Sequence, residues 1–296
     1  SQVHYLSPYA QLYVDDDKSN PKLYPVDDSL IGNPLFNALT RKRDEKYNNL
    51  FANIFANIDI PFIKGLSYRL NYSPGFRWNH TYTMRPIYKE QGKNDTGAGG
   101  KTHYEYVDWV LENIIDYTRD FGRHGVSVTL MYGASSYSNN STSAGSTNYF
   151  NDVLGWDSLE VGETQTASSG ASRKRDVSMM GRLNYRYNDR YLVTFTVRRD
   201  GSSVFGRNNK YATFPSAAVA WIVSEESFLK NNAKWIDMLK LRVSWGKIGN
   251  QAISAYGTLT QSATTKYVFG DGGNTSIGIY PSAMGNNNLK WETTTS

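Results

Sequence analysis

Val177-Ser178-Met179-Met180-Gly181-Arg182-Leu183-Asn184-Tyr185-Arg186-Tyr187 is the stretch whose reading decides the fold. Its odd positions (Val177, Met179, Gly181, Leu183, Tyr185, Tyr187) make an apolar face, while the even ones, Ser178, Met180, Arg182, Asn184 and Arg186, put polar groups and charge on the other. After the break Asn188-Asp189-Arg190, Tyr191, Val193, Phe195 and Val197 oppose Thr194, Thr196, Arg198 and Asp200. Leu239, Leu241, Val243 and Trp245 then oppose Lys240, Arg242, Ser244 and Gly246. A period of two held for about ten residues at a time has the length and rhythm of a membrane-spanning β-strand.

Composition is compatible with that reading and closes others. The chain has 296 residues, 39% of them hydrophobic and 14% aromatic, which excludes a disordered polymer and allows one large or two ordinary domains. The apolar residues are dispersed: no run approaches the roughly 18 uninterrupted positions of a membrane helix, and the mean hydropathy is -0.55. A barrel strand hides its lipid-facing residues between polar ones, so these averages do not exclude a membrane sheet. Tyrosine stands out at 22 residues, beside 7 Trp and 12 Phe, and its amphipathic ring suits both strands and the membrane-water boundary. The net charge of +5 is scattered without a basic cluster interleaved with aromatics, so nucleic acid is not an expected partner. There is no cysteine, which removes disulfides, thiolate metal sites and Cys nucleophiles. Ser1-Gln2-Val3-His4-Tyr5 has neither the charge nor the apolar core of a signal segment and reads as the middle of a longer chain.

Outward from the central stretch, residues 1–46 read as an extracellular loop region and 47–296 as β-barrel segment. The loop region carries Pro8, Pro21, Pro25, Pro34 and the acidic run Asp15-Asp16-Asp17, a solvated tip without the oxygen spacing of a calcium loop. Ile54, Ala56, Ile58 and Ile60 line one face of a first strand, and Leu66, Tyr68, Leu70 and Tyr72 face one way on the next. Residues 79–102 read as a Gly-, Asn- and Thr-rich loop. Within it Gly97-Ala98-Gly99-Gly100-Lys101-Thr102 imitates a phosphate loop, but Asp95 stands where the first glycine belongs, and the following residues alternate as a strand instead of opening a helix. Val107, Trp109, Leu111, Ile115 and Tyr117 alternate with Asp108, Glu112 and Asp116; the carboxylates fit a polar lumen better than a paired-acid hydrolase. Val126, Val128, Leu130 and Tyr132 complete that hairpin, and a polar loop is expected over 138–172.

The connections sort by length. Breaks at 61–64, 120–124, 188–190 and, slightly longer, 225–236 alternate with long ones at 79–102, 138–172, 201–212 and 249–288. Short turns at one end and long loops at the other match the periplasmic and extracellular ends of an outer-membrane barrel. About nine strands are expected, an odd number that leaves an unpaired edge and implies a piece of a larger barrel.

A set of short runs carries a family resemblance: Gly181-Arg182-Leu183-Asn184-Tyr185, Asn188-Asp189-Arg190-Tyr191, Arg199-Asp200-Gly201-Ser202-Ser203-Val204-Phe205-Gly206, Phe214-Pro215-Ser216, Trp221, Ser224-Glu225-Glu226-Ser227-Phe228, Leu241-Arg242-Val243-Ser244-Trp245-Gly246, Gly249-Asn250-Gln251 and Asn288-Leu289-Lys290-Trp291-Glu292-Thr293-Thr294. In this order they resemble the barrel of SusC/RagA TonB-dependent outer-membrane transporters of Bacteroidetes. The resemblance implies an all-β, antiparallel transmembrane β-barrel of 22 strands, filled by an N-terminal plug and covered by a SusD-like lipoprotein. It implies import of oligosaccharides, or of peptides in some members, energised by the TonB-ExbB-ExbD complex through a segment near the mature N-terminus. The plug, that segment and the C-terminal strands are expected to be absent from this chain, which then reads as a middle slice in the cell outer membrane. The motifs themselves also serve construction: Gly201 is expected to take positive φ at a loop start, and Asn188-Asp189 to make a tight turn.

No catalytic constellation emerges, since His4, His80, His103 and His124 are far apart in sequence and read as loop or turn residues. An enzyme is not expected, nor a cofactor or metal. For a glycan cargo, the loop aromatics Tyr82, Tyr149, Trp156, Tyr267 and Tyr280 are the candidate ligand contacts. A secreted β-sandwich carbohydrate-binding module is the alternative from another class; it requires Leu183, Val193, Phe195 and Leu241 to lie beneath a second layer. Tyr117, Phe121, Tyr187, Tyr191, Phe228 and Trp235 are expected at the short-turn level, and Trp78 and Tyr132 near the long-loop level.

Overall fold

The computed structural model describes residues 9–25, 32, 33, 35–90, 93–232, 235–268 and 275–296. Ser1 to Tyr5, Pro8 and Pro34 lie outside them. The strands are β1 Lys42–Phe51, β2 Ile54–Asp59, β3 Leu66–Arg85, β4 Tyr88–Glu90, β5 Lys93–Asp95, β6 Ala98–Phe121, β7 His124–Tyr149, β8 Gly162–Tyr187, β9 Tyr191–Ser202, β10 Tyr211–Ile222, β11 Lys240–Asn250, β12 Gln261–Val268, β13 Thr275–Ala283 and β14 Glu292–Thr295. Two short helices, α1 Phe36–Thr40 and α2 Ser227–Asn232, interrupt them.

Among the described residues one ten-stranded sheet runs in the order β1-β3-β6-β7-β8-β9-β10-β11-β14, with β2 also pairing β3. Because β1 and β2 both lie along β3, they act as one broken strand, and the expected nine positions in the wall are met. Hairpins β12–β13 and β4–β5 stand apart as separate two-stranded sheets. No described helix is long and apolar enough to cross a membrane. The chain divides into two compact units, residues 1–50, 76–106 and 139–171 in one and residues 51–75, 107–138 and 172–296 in the other.

In the second unit the registers convert the sequence alternation into rows across the sheet. Leu183 opposes Phe195, which opposes Ala217, which opposes Trp245. The next rows are Tyr185-Val193-Val219-Val243 and Tyr187-Tyr191-Trp221-Leu241. These apolar rows are not covered: Leu183, Val193, Phe195 and Leu241 are all exposed, and Val243 is 71% exposed. Among the described residues there is thus no second protein layer over this face, the requirement of the sandwich alternative. Only Val204 and Phe205 of the described side chains are essentially inaccessible, so the stabilising apolar area of this sheet is matched to a surrounding medium and not to an internal core.

The turns obey the local chemistry. Asn188 and Asp189 take φ of 49° and 55°, the paired positive values of a type I′ hairpin turn, as the sequence predicts. Gly201 corrects its expectation: it lies inside β9 and not at a positive-φ loop start. It directly opposes Tyr211, and the place of a Cβ at Gly201 is filled by the Tyr211 ring.

The larger correction concerns loop length. β6, β7 and β8 run for 24, 26 and 26 residues, so the polar stretches expected as loops over 79–102 and 138–172 are mostly strand. Only 86–97 and 150–161 are left between the long strands there, and the boundary expected at 46/47 falls inside β1. The physical reason is that these extensions have no apolar face. Cross-strand polar contacts such as Thr102 to Ser143, 2.8 Å, hold them, and a hydrophobic period cannot reveal such a strand. Trp78 and Tyr132 accordingly lie within β3 and β7, not at their ends.

Candidate functional site

In the second unit the polar face of the sheet is a hydrogen-bonded surface. Ser178 donates to the Asp200 carboxylate at 2.6 Å, and Arg198 Nε donates to both Asp200 oxygens at 2.8 and 2.9 Å. Arg182 Nε reaches Thr196 Oγ1 at 3.3 Å, Thr129 donates to Asp116 at 2.6 Å, and Asn71 donates to Glu112 at 3.2 Å. A cavity of about 670 Å³ opens on this face, lined by Glu112, Met131, Arg182, Arg198, Asp200 and Trp291 among others. Its lining residue Trp291 is packed from behind by the Ser203-Val204-Phe205-Gly206 segment. Phe205 packs on Trp291 with centroids 4.8 Å apart, and Gly206 donates its N–H to Leu289 O at 3.2 Å. Trp291 also meets Phe214 edge-on at 5.5 Å. The arrangement offers a polar, charged wall with fixed donors and acceptors.

Asp108 and Glu112 are four residues apart on one strand, about 13 Å between their backbone positions at the strand rise, a wider spacing than the carboxyl separations of either acid-base mechanism. Among the described residues no group of three His, Cys, Asp or Glu could hold a metal. His80 and His103, read from sequence as loop residues, instead occupy neighbouring strands and meet edge-on at 4.5 Å. The acidic run is a tight turn, with Asp15 at φ 50°. Its Asp17 accepts from the Ser19 N–H and hydroxyl at 2.9 and 2.7 Å, which holds that carboxyl below its ordinary range. The phosphate-loop imitation is a strand from Ala98 onward, with the Gly97 N–H tied to Asp95 at 3.0 Å.

The first unit brings two of the five candidate aromatics together. Tyr82 and Trp156 lie 6.0 Å apart at 32°, and Lys101, bonded to Asp157 at 2.8 Å, sits 5.7 Å from the Tyr82 ring. The period of two gives Tyr82 the parity of Leu66, Tyr68 and Tyr72 on the apolar side of β3, so this pair packs the 150–161 loop onto that side. Tyr149 is 6% exposed: Asn148 takes φ 60°, and the Tyr149 hydroxyl fills the space where a Cβ at Gly99 would stand. Burial removes it as an open platform. Tyr267 and Tyr280 lie elsewhere, on the hairpin of the second unit, where the register places both on one exposed face.

On the opposite parity of the first unit is a cluster that the sequence reading does not single out. Tyr104 and Tyr106 stack at 6.1 Å and 17°, and the Arg77 guanidinium lies 4.9 Å from the Tyr106 ring. These residues share their parity with Asp108 and Glu112 on β6 and with Asn71 on β3, the polar side. The signal for it is His103-Tyr104-Glu105-Tyr106, whose alternation continues upstream of Val107.

At the short-turn end Glu226 is the most densely engaged of the described carboxylates. It accepts from the Tyr191 hydroxyl at 2.7 Å, Trp221 Nε1 at 3.1 Å and Arg190 Nη1 at 3.0 Å. The Tyr191 hydrogen bond foremost, then Trp221, holds the Glu226 carboxyl below its ordinary range. Tyr187, Tyr191 and Trp221 stack in series at 6.3 and 6.5 Å; of the aromatics expected at this level the stack holds Tyr187 and Tyr191, joined by Trp221, which the sequence reading does not place there.

Known proteins resemble this chain. The family model for the TonB dependent receptor-like β-barrel matches residues 5–296. The TonB-dependent receptor P3 of Formosa agariphila is 35% identical over 269 residues, covering 89% of this chain and 26% of that protein. The TonB-dependent receptor SusC of Bacteroides thetaiotaomicron is 41% identical over 157 residues, 50% of this chain and 15% of the relative. Among solved structures, the RagAB peptide transporter superposes with a TM-score of 0.80 at 23% identity, covering 93% of this chain and 30% of that one, a likeness of fold. The chain thus spans about a quarter of the length of P3.

Proposed function

This chain belongs to the TonB-dependent receptor-like β-barrel family of the outer membrane, and from that membership we propose that its sheet forms part of the wall of an importer for oligosaccharides. The apolar rows of β8 to β11 face lipid, and the polar face lines the path of the cargo. The observation that carries the reading is the pairing of an uncovered apolar face with a hydrogen-bonded charged face on the same strands. Short turns face the periplasm and long connections the exterior. A SusD-like lipoprotein covers the exterior, and the TonB-ExbB-ExbD complex supplies energy through a segment beyond these residues.

Cargo contact is assigned first to the Arg77, Tyr104 and Tyr106 cluster, whose stacked rings and guanidinium suit a sugar face and its hydroxyls. Tyr267 and Tyr280, exposed on one side of their hairpin, are the outer contacts. Tyr82 and Trp156 hold the 150–161 loop. No catalytic step is assigned. A peptide cargo is the second reading, favoured by the charged groups Glu112, Arg182, Arg198 and Asp200 on the polar face.

Calorimetric titration of the intact receptor separates these readings. For oligosaccharide cargo, Tyr106→Ala weakens binding up to about tenfold, the worth of one stacked ring, while Trp156→Ala leaves it unchanged. Binding of peptides without oligosaccharides would replace the first reading with the second. Loss with Trp156→Ala and not with Tyr106→Ala would move the contact to the opposite side of the sheet.

A further inference from the structure

Three connections at the long-loop end of the second unit, 203–210, 251–260 and 284–291, contribute to a cavity separate from the one on the polar face. Its volume is about 470 Å³, inside the range of about 300–1,000 Å³ that small-molecule sites occupy. Backbone bonds lace the connections together. Gly206 N–H reaches Leu289 O at 3.2 Å, Asn286 N–H reaches Gly257 O at 3.3 Å, and Leu259 N–H closes on Tyr256 O at 2.9 Å. Val204 and Phe205, each 1% exposed, give the lining its apolar part. Phe205 also packs on Trp291, which lines the polar-face cavity, so the two cavities adjoin through this ring pair.

The charge around this cavity has one sign. Arg173, Arg207 and Lys210 border it, and no Asp or Glu does. All three are exposed, and among the described residues none of them makes an ion pair with a carboxylate. The polar-face cavity differs: acids share its lining, and its Arg198 is already held by Asp200 at 2.8 Å. Cations around one cavity repel one another, and an anion bound between them relieves the repulsion. Ser203, Thr258 and Asn287 add hydroxyl and amide groups to the same lining. Tyr256 takes φ 65°, a conformation bulky residues rarely adopt, and its hydroxyl accepts the Arg173 N–H at 3.1 Å, which fixes the ring there.

We infer that this cavity is an outer subsite for an acidic oligosaccharide, one that carries carboxylate or sulfate groups. The inference rests on the oligosaccharide reading above and narrows it. Arg173 and Arg207 take the anionic group, since a guanidinium fork matches two oxygens of a carboxylate or sulfate, and Lys210 adds its charge. Tyr256 offers a ring to the sugar face, and the hydroxyl and amide groups meet the sugar hydroxyls. A neutral sugar forgoes the charge-assisted bonds and leaves the three cations facing one another, so the subsite selects by charge.

Calorimetric titration of the intact receptor in phosphatidylcholine vesicles tests this. The probes are trigalacturonate, its uncharged methyl ester, a chondroitin sulfate tetrasaccharide and inorganic phosphate. At least one acidic saccharide should bind, more weakly as salt rises, and the methyl ester should bind at least about tenfold more weakly than that saccharide. Arg173→Gln and Arg207→Gln should each weaken the acidic saccharide about tenfold, the worth of one charge-assisted hydrogen bond. Both arginines are exposed and without an acidic partner, so thermal unfolding should not change, which separates a lost contact from a lost fold. Binding of neither acidic saccharide, or acidic binding that survives both substitutions, would overturn the subsite. Inorganic phosphate bound as tightly as the saccharide would overturn the sugar and leave an anion hole open to a lipid headgroup. Neutral saccharides bound as well as acidic ones would remove the subsite alone and keep the importer of oligosaccharides, whereas peptides bound without any saccharide would remove both.

Discussion

Ala217 and Ala218 allow the lipid-facing assignment to be tested with one side chain in two adjacent places. Ala217 lies between Phe195 and Trp245 in an apolar row, whereas Ala218 lies between Thr194 and Ser244 on the polar face. Phe195, the partner of Ala217, is five residues beyond Arg190, which is about 16 Å along the strand and about 12 Å of height at a barrel tilt. That is near the middle of an apolar band about 25 Å tall, where an arginine costs about 2–4 kcal/mol. Ala217→Arg should therefore lose that amount in equilibrium unfolding of the intact receptor from phosphatidylcholine vesicles, a shift of about 30- to 900-fold in the folding constant. Ala218→Arg, with its guanidinium in water, should stay within about 0.5 kcal/mol of the parent. Neither substitution deletes a native side chain beyond a methyl group, so the difference isolates the medium on each side. Equal costs, or a greater cost for Ala218→Arg, would refute the immersion of the β8–β11 face.

Close approaches and titration supply the other expectations. Gly206→Ala places a Cβ against the Asn287 backbone oxygen, and overpacking should cost about 1–3 kcal/mol; limited proteolysis between 203 and 210 should accelerate. Gly65→Ala meets both a φ of 87° and the Thr118 backbone oxygen, so the Thr118 N–H to Gly65 O bond of 2.8 Å should be lost, visible as faster amide exchange at Thr118. The Glu226 carboxyl is depressed in the folded state from an ordinary value of 4.5. Its contribution is therefore present above that value and disappears as pH falls through the lower folded value. Acidification through that folded value should loosen the Glu226 contacts with Tyr191 and Trp221 in the parent and have no such effect in Glu226→Gln, read by protease cleavage near Trp235.

The membrane part of the fold is legible because lipid imposes a strict period on one side of each strand. Leu183, Val193, Phe195 and Val243 can be assigned from sequence alone, and the structure places them in registered rows. The extensions of β6 to β8 beyond that band obey a different constraint. Water wets both faces there, so Ser, Thr, Asn and Gly satisfy the ladder without an apolar rhythm, and strand looks like loop. The aromatic cluster is hidden for another reason: Tyr104 and Tyr106 alternate as a strand in the sequence, but the Arg77 that meets Tyr106 lies on another strand, and only the structure brings the two together. Gly201 escapes sequence reading for a related reason. A glycine in sequence announces the absence of a side chain, and only the register reveals that the absence serves the Tyr211 ring across the strand and not a positive φ. Periodicity thus reports the solvent on each side of a strand, whereas side-chain complementarity between strands needs the pairing itself; the aromatic platforms and clasped turns that distinguish this wall depend on the second kind of information.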